Sequence, residues 1–545
     1  MLLGKGFFMG IFLATYKVVA EAFFLASLGE YLAEAMFFSA LIGVISTALF
    51  ATLQNKIHFK KLVFANLVLV FLFFGSARYL FEVLSGEYRD YLVFAIFVML
   101  MPIYSITILG FWGVFGRTFD LRQSKRIIGG IDSGQLMGSI ITFYSVSLLN
   151  KYLENIDFLF ISMASLVFSF IFLLFLDKGS KIQSHHREKG ETRINTKLTK
   201  LLKNKYVVLL SCFLGLSMVA FTFVAYSFLS VTEIYFPSEE QLLSFLGIFN
   251  GSIMILGLLI QTFVNDRLIA MYGLRTALLV LPIILLFFTI ASIVAATIYG
   301  LDVANDNFLW FFLFIALSKL FTDSLRDALE NPSFKLFFMP LDVKIRFDIQ
   351  AKVEGVVNEF SRFVAGGLIL ILGVLTFVNI IHYTYFLLVI IGAWIYITNR
   401  LYNEYRQNVK RKLQGHQEEE DLHQKLKNSL RKELDLAINS QKMGLIIFAS
   451  RLLEKIDVAL LRSKITSLIN SADSGIRKIA LELLNEQRSI TQPTSGKVFK
   501  ISEEKNHVEN LASWMSNINV SSSGSLGFRD LSILTRSEDV NDRKY

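Results

Sequence analysis

Apolar residues in this chain gather into runs of about twenty, the length a helix needs to cross a bilayer. Runs near 7–28, 35–54, 62–81, 91–114, 127–149 and 158–176 predict six membrane helices. A polar stretch at 177–206 follows, then six more runs near 207–231, 242–264, 276–298, 308–327, 355–377 and 383–400. The expected fold class is an all-α membrane protein with twelve transmembrane helices in a six-plus-six arrangement. Its parts are a six-helix bundle over 1–176, a central cytoplasmic loop over 177–206 and a second six-helix bundle over 207–401.

Loop charges orient this frame, because loops that stay in the cytoplasm hold an excess of Lys and Arg. With the N-terminus placed inside, the inward loops carry twenty-two basic residues and the outward loops only Arg89 and Lys151. Outward stretches are acidic, with Glu233, Glu239 and Glu240. Both termini are therefore expected in the cytoplasm, in a multi-pass protein of the inner, or plasma, membrane. The first apolar run lacks the short core and small-residue cleavage site of a signal peptide and is expected to remain as a spanning helix.

Beyond 401 the pattern changes. Residues 402–436 are rich in Lys, Glu and Gln and predict an exposed helix. From about 441 to 487 apolar residues return at helical spacing, with Ile446, Leu452 and Leu453 in one segment and Ile479, Leu483 and Leu484 in another. We read 402–490 as a short cytoplasmic helical domain, and 491–545, with the Ser cluster at 521–523, as largely disordered.

Composition narrows the picture. Hydrophobic residues make up 54% of the chain and charged residues 18%, against about 25% charged in soluble domains. Mean hydropathy is +0.52. Collagen, coiled coil and disulfide scaffold are excluded, and the lone Cys212 cannot form an internal disulfide. The net charge of +9 is spread over both parts of the chain, so no nucleic-acid partner is implied. Seven His residues lie mainly in loops and tail. No metal-ligand spacing, nucleophile elbow or phosphate-binding glycine loop appears, so neither an enzyme nor a cofactor or metal site is expected.

Ionisable residues inside spans are costly and mark cavities or pairs. Lys17 falls about 15 Å into span 1, near the midplane, and Glu21 lies one turn on, where the two can neutralise each other. Lys319 falls about 16 Å into span 10, followed at four-residue steps by Asp323 and Asp327, with Arg326 between. Span 5 carries Asp132 and Gln135, and span 11 Asn358, Glu359 and Arg362. Spans 6, 9 and 12 have no mid-span charge. Two midplane lysines suit an anionic substrate, with the carboxylates as counter-charges or proton carriers. Purely structural pairing is the alternative for each. Gly130, Gly134 and Gly138 place a small residue every four positions of span 5, a pattern of close helix packing with a rocking hinge as the alternative.

Two sets of residues carry a resemblance. Asn265-Asp266-Arg267 with Gly273-Leu274-Arg275, between spans 8 and 9, resembles in stretched form the inner-loop motif of the major facilitators. Phe111-Trp112, the run Phe119 to Arg126 and Gly134-Gln135-Leu136-Met137-Gly138, with Tyr16-Lys17 and Phe338 to Asp342, resemble the ATP/ADP translocase group of nucleotide transporters. The nearest branch is its bacterial form fused to HEAT repeats. In the tail, Leu468-Ile469 and Asp473 to Leu481 resemble the turn and second helix of one such repeat. One or two repeats fit, fewer than a free-standing solenoid needs, which implies docking on the membrane domain or on a protein partner.

The resemblance implies a major-facilitator fold in which spans 3, 6, 9 and 12 are outer supports. The charges avoid those spans. In the translocases, charged residues of spans 1, 5, 8 and 11 serve substrate exchange. Carried over, these positions fall on Lys17, followed here by Val18 where the group usually shows Asp; on Asn250, where span 8 has no acid; and on Glu359 and Arg362, without a Gly-Lys-Ser sequence.

The expected function is a secondary transporter working by alternating access on a small anionic organic solute, with nucleotides among the candidates and the lipid bilayer as its surroundings. The alternative is a transport-inactive scaffold or sensor that signals through its tail. Candidate substrate contacts are Lys17, Glu21, Asp132, Gln135, Asn250, Lys319, Asp323, Glu359 and Arg362. Candidate gating residues are Arg117, Asp120, Arg122, Lys125, Arg126, Asp266, Arg267 and Arg275.

Overall fold

A computed structural model describes residues 1–118, 121–153, 155–179, 204–302, 307–341, 346, 349–350, 352–375 and 377–438, with scattered positions between 446 and 481. The central loop over 180–203, most of the HEAT-like motif and all of 491–545 lie outside the described residues. By contacts the chain divides into two units, Met1–Gly415 and His416–Tyr545.

The first unit is helical. Its helices are α1 (Leu2–Leu28), α2 (Leu32–Lys56), α3 (Phe59–Val83), α4 (Glu87–Val98), α5 (Leu100–Thr118), α6 (Leu121–Leu149) and α7 (Phe158–Gly179). Then come α8 (Lys205–Tyr235), α9 (Glu239–Leu259), α10 (Asn265–Tyr299), α11 (Phe308–Leu325), α12 (Asn331–Leu336), α13 (Asn358–Val374) and α14 (Ile380–Ile438). Among the described residues, nine stretches are long and apolar enough to cross a membrane. Two of them, Leu2–Gln54 with 53 residues and Glu239–Tyr299 with 61, are long enough to cross twice.

Local chemistry explains where helices break. The expected span over 91–114 is split at Met99. Pro102 lacks an N–H, and its ring crowds the carbonyl four residues back, on Val98. Within α10, Gly273 takes φ +78°, ψ 171°, a conformation open to a residue without a Cβ. The chain turns there, between the eighth and ninth predicted spans. The last predicted span does not end near 400: α14 runs unbroken for 59 residues to Ile438. In the second unit Lys464 Nζ pairs with Asp435 Oδ1 at 2.7 Å.

Small residues set the closest approach in the first half. A Cβ on Gly134 would lie 2.6 Å from Leu3 O, and Cβ atoms on Gly138 and Gly10 would collide with Phe7 O and Gln135 O. α1 and α6 thus pack backbone to backbone, through two of the three glycines in the span 5 stripe. Gly130 lies outside the residues whose side-chain surroundings are described.

The halves meet closely at one end. There Ser147 and Ser244 hydroxyls lie 2.9 Å apart, Asn150 Nδ2 donates to Glu240 O at 3.1 Å and Asn155 Nδ2 to Glu239 Oε1 at 2.7 Å. Phe37 of α2 packs on Phe363 of α13 with ring centroids 5.3 Å apart. One apolar core runs through the first half and continues into Phe228–Leu246 and Ala295–Ala316 of the second. All of these second-half residues sit at this closed end. At the opposite, open end, Tyr206–Phe213 and Leu325–Val353 belong to a second core, which also takes in Ile369, Leu372 and Tyr383 and, from the first half, Ala33. Apolar burial in the first core therefore glues the halves at the closed end.

Candidate functional site

Helices from both halves bring charge to the middle of the unit. α1 supplies Lys17 and Glu21, one turn apart. Spacing alone pairs them, yet the Lys17 ammonium donates instead to Asn250 Oδ1 on α9, at 2.8 Å. The Asn250 Nδ2 donates to Leu246 O of its own helix at 2.9 Å. That bond turns the amide oxygen toward Lys17. Glu21, 7% exposed, lies within electrostatic reach of Lys17, Lys319 and Asp323 and beside Asn250.

From α11, Lys319 Nζ sits 2.9 Å from Asp323 Oδ2. The Phe221 ring of α8 lies 4.7 Å from Lys319 Nζ and 4.5 Å from Arg326 Cζ, so two cations share one aromatic ring. After α11 the chain widens into a π-helical turn over Arg326–Glu330. Buried Glu330 accepts a hydrogen bond from the Ser217 hydroxyl at 2.5 Å. Asp327 is exposed, accepts from Asn331 Nδ2 at 3.1 Å, and feels charges of both halves, Lys17 and Asp132 among them. An exposed acid surrounded by such charges lines an open central cleft. On α13, Arg362 Nη1 pairs with Glu359 Oε2 at 3.0 Å.

The structure thus gathers Lys17, Glu21, Asn250, Lys319 and Asp323 at one place. Asp132, half-buried, sits toward the open end within reach of Lys335 from the other half. Gln135 is half-buried where its backbone meets Gly10. Glu359 and Arg362 form their own pair beside the cleft.

Tyr104 was not among the sequence candidates. This half-buried residue of α5 lies within electrostatic reach of Asp323, Asp327, Arg362 and Asp132. Its only sequence signal was a polar residue inside an apolar run just after Pro102. Phe221 had no signal at all, being one of 52 phenylalanines.

Among the gating candidates, Arg117 is exposed, stacks over the Phe59 ring at 3.6 Å and donates to Gly113 O at 3.1 Å. Asp266 and Arg267 are exposed at the open end. Arg275 donates from Nε and Nη2 to Asn399 Oδ1 at 3.0 and 2.8 Å, tying α10 to α14 within one half. Asp120 and the side chains of Arg122, Lys125 and Arg126 lie outside the described residues.

Because Lys319 and Asp323 are both nearly buried, removing one partner leaves an uncompensated charge. Lys319→Ala is expected to destabilise the fold by about 3–5 kcal/mol, and adding Asp323→Ala to restore most of that loss. Chemical denaturation of the two single variants and the double variant in detergent checks this. Additive losses would mean that the pair is not a unit.

No family model and no curated protein sequence matches the chain. Solved structures do match. The nucleoside transporter NupG aligns with TM-score 0.52 at 15% identity, over 74% of this chain and 97% of its own. A POT family transporter in complex with a thioalcohol-conjugated peptide aligns with TM-score 0.52 at 11% identity, over 74% and 96%. A bacterial homologue of the iron transporter ferroportin, in its inward-facing state, aligns with TM-score 0.50 at 13% identity, over 74% and 98%. The first unit of the chain shares the fold of these membrane proteins. The chain is a multi-pass integral membrane protein. At these identities the likeness speaks to the fold alone.

Proposed function

We propose that the protein is a secondary transporter that works by alternating access. Two of the nine membrane stretches, of 53 and 61 residues, have the length for two crossings each and α6 adds another, which supports twelve crossings. Among the described residues the basic ones of the predicted inward loops, Arg117, Arg267, Arg275 and Lys335, lie toward the open end, which supports a cytoplasm-facing cleft with both termini inside, in a bacterial inner membrane. The observation that carries this reading is the Lys17–Asn250 hydrogen bond. It joins the halves at mid-depth, at the head of a cleft sealed by apolar packing on one side.

The substrate is an anionic organic solute, with nucleotides first among the candidates because of the translocase resemblance. Among the described residues Lys17 makes no ion pair, whereas Lys319 and Arg362 are each matched by a carboxylate. Lys17 is therefore the cation with attraction to spare for an anion, and Asn250 Oδ1 orients it. Glu21, Asp327 and Glu330 outnumber the remaining cations and supply groups to carry protons. On arrival the solute replaces Asn250 at Lys17. The halves then close over the open end, where Asp132 and Lys335 attract across the cleft, as the polar contacts at the other end part.

The scaffold reading keeps one observation in its favour: α14 runs from the membrane stretch into the second unit without a break. A HEAT-like domain there would present a protein-binding surface. A thermal-shift screen of the purified protein with nucleotides, organic acids and sugars, at several pH values, separates the two readings. An anionic solute that raises the melting temperature, and loses that effect in Lys17→Ala, is the expected result. A uniformly negative screen favours the scaffold.

A further inference from the structure

Away from the Lys17–Lys319 site, the first half encloses a small cavity whose mostly apolar wall carries a few polar side chains. It lies between α1, α3, α5 and α7 and has room for about one water-sized species. Lys5 reaches into it from the first turns of α1. The residue is 3% exposed, and its Nζ has no hydrogen-bond partner. Thr107 Oγ1 of α5 is likewise buried and unpartnered, and Asn66 and Ser169 complete the polar lining. The Phe111 ring faces Nζ from 5.6 Å. Among the described residues no carboxylate lines the cavity.

Two unsatisfied donors converging on one enclosed space ask for an acceptor. A ring face at that distance offsets only part of the cost of burying an ammonium, and a neutral water would satisfy its hydrogens without balancing its charge. A small anion does both. It accepts from Nζ and from the Thr107 hydroxyl, and the Asn66 amide and Ser169 hydroxyl are further donors. Polyatomic anions such as phosphate are too large for the space. We propose that the first half holds one monovalent anion of the halide class between Lys5 and Thr107, as a bound structural ion separate from the transported solute. The flexible lysine stem supplies the small displacement by which a halide exceeds a water in radius.

Thermal unfolding of the full-length protein in detergent tests this without a transport assay. Replacing gluconate by chloride at constant ionic strength and pH is expected to raise the melting temperature by about 2–4 °C. Lys5→Met keeps the apolar stem and removes the charge, so its melting temperature should be the same in both salts. Thr107→Val should reduce the chloride shift and serves if Lys5→Met does not fold. Crystals grown in bromide should show an anomalous peak beside Lys5 Nζ. Equal wild-type melting in the two salts would leave only a water or an uncharged lysine in the cavity. A chloride shift that persists in Lys5→Met would be a bulk salt effect. Either result overturns the proposal.

Discussion

Lys17→Ala is expected to lower uptake into proteoliposomes by about 100-fold, for the solute that emerges from the thermal-shift screen, while the protein still folds. The size follows from the role: truncating one partner of a buried, hydrogen-bonded charge contact costs about 2–5 kcal/mol of binding. The fold should tolerate the change for a specific reason. Lys17 is half-buried and makes no ion pair among the described residues, so its loss unpairs Asn250 Oδ1 and removes one of the two lysines within reach of Glu21, where Lys319 remains. The Asn250 oxygen sits at the head of the open cleft, where water can replace the ammonium. Lys17→Arg keeps the charge but changes its shape, and should retain part of the uptake. The contrast with Lys319 is deliberate. There the carboxylate at 2.9 Å makes the lysine part of the fold, and its loss should appear first as instability. Wild-type uptake by Lys17→Ala would remove the central site from the account.

Much of this arrangement was legible in the chain, and the parts that were not have physical reasons. Runs of about twenty apolar residues marked the membrane stretches because bilayer thickness, not packing detail, fixes that length. The glycines at 134 and 138 could be read as a packing surface for the same kind of reason, since only a missing side chain lets two helix backbones touch. Sequence spacing is weaker on partners. It offered Glu21 to Lys17, whereas the structure supplies Asn250, 233 positions away. No local pattern encodes a contact between halves. Tyr104 was missed because a search for charge passes over a phenol. The continuation of α14 past residue 401 was missed as a single element because the side chains change from apolar to charged there. The helix is indifferent to that change: Arg, Lys, Glu and Gln are all good helix formers. The π-helical turns at Ile260–Val264, Arg326–Glu330 and Val353–Val357 have no sequence signature either. All three fall on the open-end side of the second half, and one of them carries Arg326 and Asp327 into the cleft. Such turns often mark functional segments of a helix, since the extra residue re-aims the side chains that follow.

If the halves rock about the central site, the closed end must open in every cycle. Ser147 and Ser244 mark the place to test this, with hydroxyl oxygens 2.9 Å apart on α6 and α9. Cysteines at both positions, in a background where Cys212 is replaced by Ser, can form a disulfide with small adjustment of the backbone. The account predicts that oxidation cross-links the pair and stops uptake, and that a reductant restores it, while either cysteine alone transports normally. Complete cross-linking with undiminished uptake would contradict alternating access in this protein.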